Sequence, residues 1–276
     1  VCDRWGVMEN IACCGKEDIY KFARDVIDEL CELFPYPYFH IGGDEAPKDH
    51  WKVCPKCQAK IRKLGLKDEE ALQAHFNNVI AEYLKSKGKN TVGWNEILKS
   101  TETLDHNIIP QWWIPLDGSV REKKWLAEGG KMILSILPYV YMDHAYAMRP
   151  LEKTYGFGPG SVGIEDDSNI LGIEAPQWTE YIRDTEKLDF NTFARLMAIA
   201  EAGWTLEENK DYADFESRLE SMRGYFASLG ATIPPAWIYH GDTIGDTSGL
   251  SEDERVQKGY EVWSDDPYFE LKLAKQ

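Results

Sequence analysis

Two observations predict an α/β chain built on a parallel sheet. Short apolar runs alternate with stretches whose apolar residues recur at helical spacing. Five successive runs then close on an acid, a Trp or a Tyr. That pattern gathers reactive and aromatic side chains at one end of the sheet.

The elements follow in order. Ile19, Phe22, Val26, Ile27, Leu30 and Leu33 predict a helix over 17–34, ended by Pro35 and Pro37. "YFHIGGDE" is the first strand and its exit. A second helix spans 69–87, with Leu72, Phe76, Val79, Ile80 and Leu84 on one face and Gly88 as its stop. "NTVGWNEIL" at 90–98 and "NIIPQWW" at 107–113 are the next strands. Ser119 with Glu122 forms a capping-box pattern for a helix that stops at Gly129-Gly130. "KMILSILPYVYMD" at 131–143 is a fourth strand, and a Gly/Pro-bearing loop runs to about 168. "NILGIEAPQWTE" at 169–180 is a fifth, followed by helices near 192–203 and 213–228. The tail, 231–276, reads as a loosely packed extension to a catalytic portion at 1–230.

Composition narrows the function. The chain has 276 residues, a net charge of −16, ten Trp and fourteen Tyr. Such acidity argues against nucleic acid and anionic membrane as partners. No run of about eighteen apolar residues occurs, so no membrane insertion is expected. The six cysteines stand at positions 2, 13, 14, 31, 54 and 57. Cys54 and Cys57 form a lone CxxC, whereas a structural zinc site needs a second ligand pair. Structural thiols are preferred to a local disulfide, and a disulfide to zinc. No metal and no cofactor are expected.

The strand ends carry the chemistry. They offer Asp44-Glu45, then Trp94-Asn95-Glu96, then Trp112-Trp113, then Tyr141-Met142-Asp143, then Trp178-Thr179-Glu180. A dinucleotide-binding sheet would need GxGxxG after its first strand. "GGDE" is not that motif, and an acid pair repels phosphate. A (β/α)8 TIM barrel, which builds its site from several strand ends, is favoured. Carboxylates ringed by aromatics suit sugar chemistry, because rings cover pyranose faces and acids protonate the glycosidic oxygen. Neighbouring residues on a strand face opposite ways, so Asp44 and Glu45 converge only if the strand breaks. Gly42-Gly43 allows that break. Close carboxylates are expected to raise one acid, keeping Glu45 protonated.

"HIGGDE" resembles the strand-four motif of family 20 glycoside hydrolases, the β-N-acetylhexosaminidases. "GWNEIL", "QWW", "YVYMDHAY" and "APQWTE" resemble, in order, the motifs of strands five to eight, over about residues 5–205. The resemblance implies Glu45 as general acid/base and Asp44 as the group that orients the substrate's 2-acetamido group. It implies Tyr141 as a donor to the acetamide oxygen. Trp94, Trp112 and Trp178 would wall the pocket, and Asp143 and Glu180 would accept sugar hydroxyls. Catalysis would be substrate-assisted, retaining, and routed through an oxazolinium. The implied partners are N-acetylhexosamine-containing glycans.

The family's strand-one Arg and strand-three His motif have no counterpart here. The expectation is therefore an incomplete barrel with strands 4–8 present and strands 1–3 absent. The longer parent is expected to be secreted or periplasmic, and this chain alone poorly soluble or inactive. A chitinase is disfavoured because DxxDxDxE is missing. A lacto-N-biosidase-type hydrolase shares the motif. A non-catalytic carbohydrate-binding remnant and a CxxC redox or zinc protein are the readings outside glycoside hydrolysis.

Overall fold

The computed structural model describes residues 6–239, apart from 145, 147, 148, 180, 181, 183 and 232. The described residues up to 134, with 168–171, form one compact unit; those at 135–167 and from 172 onward form a second.

The first unit is organised by a parallel sheet. Its strands are β1 (Tyr38–His40), β2 (Asn90–Trp94), β3 (Ile109–Trp112) and β4 (Met132–Leu134). Each pairs in parallel with the next: His40 lies opposite Val92, Trp94 opposite Gln111, and Trp112 opposite Leu134. β5 (Ile170–Ile173) completes a five-stranded sheet in chain order. This is the expected parallel α/β architecture.

Helices α1 (Glu17–Leu33) and α4 (Glu69–Ser86) join through Ile27, Ile80 and Leu84, with Phe39 and Ile41 from the strand side. Of the face the spacing predicts, α1 buries Ile27 and half-buries Ile19 and Leu30; Tyr20 is buried beside them, while Phe22 is 63% and Leu33 71% exposed. Asp68 caps α4 by accepting from the Ala71 N–H at 2.9 Å. Two helices not foreseen, α2 (Asp49–Val53) and α3 (Pro55–Leu64), lie between β1 and α4. With Cys14, Trp51, Cys57, Ile61 and Leu72 they build a second cluster.

α5 (Val120–Ala127) stops before Gly129-Gly130 as expected, but the capping box does not form. Ser119 sits in the left-handed region at φ 71°, with no side-chain cap bond. Glu122 instead turns inward, accepting from Asn95 Nδ2 at 2.6 Å and from the Leu116 N–H at 3.1 Å. Trp125 is fully buried, and a Cβ at Gly130 would lie 2.2 Å from its indole nitrogen, so only glycine fits there.

The second unit centres on Tyr146, Leu151, Tyr155, Ala194, Ala198, Phe215, Leu219 and Ile238. These come mainly from α7 (Leu151–Tyr155), α8 (Thr185–Trp204), α9 (Tyr212–Ser228) and α10 (Ala236–Tyr239). The apolar stretch 131–143 is strand only over β4. It then becomes the short helix α6 (Leu137–Val140), where Pro138 suits a first turn. The expected loop to 168 contains α7 and a 3-10 turn at Pro159–Val162.

Candidate active site

In the first unit the acids sit where β1 breaks. The chain stays on the β2 ladder through Ile41 N–H to Val92 O (2.8 Å) and Trp94 N–H to Gly42 O (2.9 Å). Then Gly42 (φ 71°), Gly43 (φ 101°) and Glu45 (φ 45°) all take positive φ. A strand that turns so cannot keep its side chains alternating. For Glu45, which has a Cβ, this backbone costs about 1–3 kcal/mol.

The neighbours hold that backbone. Gln73 Nε2 donates to Gly43 O at 2.8 Å. The Glu45 N–H donates to Glu96 Oε1 at 3.2 Å, and the Trp113 indole donates to Glu96 Oε2 at 2.7 Å. Glu96 is buried, so its carboxylate is a fixed acceptor for two loops. Asn95 fixes the third loop, accepting from the Trp113 N–H at 3.1 Å while donating to Ile114 O at 2.7 Å. The rings complete the surface: Trp94 is 5.0 Å from His40 and 6.4 Å from Trp113, edge to face. His40 is exposed rather than a core residue, and its Nδ1 accepts from the Gly42 N–H at 3.0 Å.

Asp44 is half-buried and Glu45 exposed. Burial pushes the Asp44 carboxyl above its ordinary range, opposed by its own backbone N–H. For Asp44 the cause is desolvation, not a neighbouring carboxylate.

Trp112 and Trp113 separate clearly. Trp112 is 1% exposed within β3, whereas Trp113 meets Trp94 and Glu96. Sequence reasoning left out Trp113 and Glu96 as site residues. Their signal was present in "GWNE" and "QWW", but choosing between adjacent Trp residues needs the strand register.

The second unit carries its own group of predicted residues. Tyr141 is buried, its ring 6.3 Å from Trp178, which is 44% exposed. The segment is held by Met142 N–H to Pro176 O (3.0 Å) and by buried Arg195, whose Nη1 donates to Met142 O at 2.7 Å. Arg149 Nη1 donates to Tyr141 O at 3.3 Å. Asp143 is buried, with Oδ2 3.8 Å from His144 Nε2. Burial, then Arg149 and Arg195, pushes His144 down to about 3, so this imidazole is neutral. Glu180 lies outside the described residues.

Fold and site together define an α/β chain with carboxylates and indole rings at the C-terminal ends of parallel strands. Residues 2–207 match the model of glycosyl hydrolase family 20, catalytic domain, and the chain belongs to that family. It is 36% identical over 242 residues to a beta-hexosaminidase of Porphyromonas gingivalis, covering 79% of this chain and 29% of that protein. It is 32% identical over 202 residues to one of Vibrio furnissii, covering 67% of this chain and 32% of that protein. The chain therefore spans about a third of the length of these relatives. Among solved structures, the exo beta-N-acetylglucosaminidase of Vibrio harveyi in complex with N-acetylglucosamine superposes with a TM-score of 0.74. That pair is 29% identical, covering 83% of this chain and 37% of the other. The beta-N-acetylhexosaminidase of Bacteroides fragilis gives a TM-score of 0.72 at 30% identity, covering 82% and 48%.

Proposed function

We propose that this chain supplies the catalytic acids of a β-N-acetylhexosaminidase that removes terminal β-linked N-acetylglucosamine or N-acetylgalactosamine with retention. The observation that carries this reading is the broken strand: Gly42, Gly43 and Glu45 at positive φ, with Glu45 tied to Glu96.

In this reading Glu45 protonates the glycosidic oxygen as the bond to the anomeric carbon breaks. The substrate's own acetamide oxygen attacks that carbon and forms an oxazolinium. Asp44 accepts the acetamide N–H and steadies the positive charge that develops. Glu45, now ionised, takes a proton from the water that opens the ring, and the β-configuration returns. Half-burial of Asp44 suits its role, since a carboxylate in a poorly hydrated place interacts more strongly with a cationic neighbour. Trp94 and Trp113 would cover the sugar's apolar surface. Tyr141, Trp178, Asp143 and Glu180 keep the donor, wall and acceptor roles that the family resemblance implies, and Trp112 serves from behind as packing.

The five strands in this reading take the places of strands four to eight of a (β/α)8 barrel, with residues 1–230 as the catalytic portion and 231–276 as an extension. Their parallel pairing in chain order and the match over 2–207 support it.

The test uses the longest form of the protein that turns over a chromogenic N-acetylglucosaminide. Glu45→Gln should lower kcat by about 10²–10⁴-fold while sugar binding persists. A substrate with a 2-hydroxyl in place of the acetamide should not react. Rapid turnover of that analogue, or near-full activity of Glu45→Gln, would sink the proposal.

A further inference from the structure

We propose that Cys13, Cys54 and Cys57 together hold one thiophilic divalent cation of the zinc class, with the fourth coordination place open to water or another donor. The three sulfurs lie within 4.8 Å of one another. Cys13 Sγ is 3.6 Å from Cys54 Sγ and 3.6 Å from Cys57 Sγ. Zinc–sulfur bonds of about 2.3 Å at tetrahedral angles set sulfurs about 3.8 Å apart. The observed spacing is an edge of that tetrahedron. A disulfide would instead draw two sulfurs to about 2.05 Å and leave the third outside.

The backbone prepares the site independently of any ion. Cys54 is the residue before α3 and Cys57 lies in its first turn, fully buried. The loop bearing Cys13 is docked by two bonds and closed on itself by a third. Trp51 Nε1 donates to Ala12 O at 3.0 Å, Tyr20 Oη to Cys14 O at 3.0 Å, and Lys16 N–H to Cys13 O at 3.0 Å. Gly15 completes the approach: a Cβ there would stand 2.3 Å from the Lys56 carbonyl carbon. The third ligand is thus brought from 41 positions upstream of the CxxC pair, which is why spacing alone left that pair without a partner.

The chemistry balances simply. Three thiols release three protons, and three thiolates with one M²⁺ leave a site of charge −1. No electron moves. The ion would tie the Cys13 loop to α3, which follows the Asp44-Glu45 loop in sequence through α2. Its role is to brace that loop.

The experiment titrates the full chain, stripped by chelator under reducing conditions, with Co²⁺ alone. The expected result is one Co²⁺ per chain, thiolate-to-metal charge-transfer bands, tetrahedral d–d bands, and bleaching of both by Zn²⁺. Cys13→Ser, Cys54→Ser and Cys57→Ser should each weaken binding more than about tenfold. Cys31→Ser should not, because Cys31 packs with the α1–α4 cluster. Zn²⁺ should also raise the Tm of the parent protein. If the serine variants fail to fold, the parent and Cys31→Ser titrations decide alone. Absence of charge-transfer bands in the parent overturns the proposal. So does full binding by folded Cys13→Ser, or a mass deficit of two hydrogens showing a disulfide among these three residues in metal-supplemented protein.

Discussion

The backbone N–H of Glu45 donates to Oε1 of Glu96 at 3.2 Å, across 51 positions of sequence. The other oxygen of the same carboxylate takes the Trp113 indole. One buried group therefore positions the proposed acid and a ring of its pocket. Glu96→Gln presents an amide NH₂ to one of two donors, which cannot both be satisfied. Losing a charge-assisted bond costs about 1.5–3 kcal/mol. The expected outcome is a kcat reduced by roughly tenfold or more, with a smaller change in KM. Initial-rate kinetics check it, and an unchanged kcat refutes the assigned role.

The two glycines should differ in their tolerance of a side chain. At Gly42 (φ 71°) an added Cβ meets only Asp44 Oδ1 at 3.7 Å, so Gly42→Ala should cost about 1 kcal/mol through backbone strain alone. At Gly43 (φ 101°) it would stand 2.6 Å from Ile97 Cγ2. Strain and overpacking together should cost at least about 2 kcal/mol there. Denaturant unfolding of both variants gives the order.

His144 makes stability depend on pH in a definite direction. Its folded pKa, about 3, lies below the ordinary 6.5. Below 6.5 the unfolded chain gains a proton that the folded chain does not bind. Stability present above 6.5 is therefore lost progressively as pH falls toward about 3. His144→Asn removes this contribution but keeps the carboxylates that titrate in both proteins. Relative to the parent, the variant's Tm should improve steadily as pH drops below neutral. Parallel Tm profiles for the two proteins would show that the imidazole is not held neutral.

The parallel order, the first three strand ends and the adjacent acids were legible because they depend on local period and composition, whereas Tyr141–Asp143 follows α6 and Trp178 lies five residues past β5. The caps at Asp68, Asp184 and Asp211 also obey a local rule, although none of them was anticipated. What was not legible depends on partners far along the chain. Glu122 fits a capping box locally, yet Asn95 claims it, 27 positions away. Phe22 fits the apolar stripe of α1, yet α4 meets the face of Ala23, Ile27 and Cys31 instead. The Cys13 cluster and the Glu45–Glu96 bond have the same origin: each closes a loop that no local window spans.

The choice between Trp112 and Trp113 gives a separation by kind of effect. Trp112 is 1% exposed, opposite Leu134 in the sheet. Truncating it to Ala should cost about 3–5 kcal/mol of stability through the cavity it leaves. Trp113 is half-buried, with its indole on Glu96 and its edge toward Trp94. Trp113→Phe keeps most of the ring but deletes the N–H, so stability should fall by only about 1 kcal/mol. Its signature should be kinetic: a raised KM for the N-acetylglucosaminide, with a lowered kcat as Glu96 loses one of its two anchors. Unfolding curves and steady-state kinetics on the same two variants distinguish the roles. A Trp112→Phe variant with the larger KM effect would return the pocket wall to Trp112.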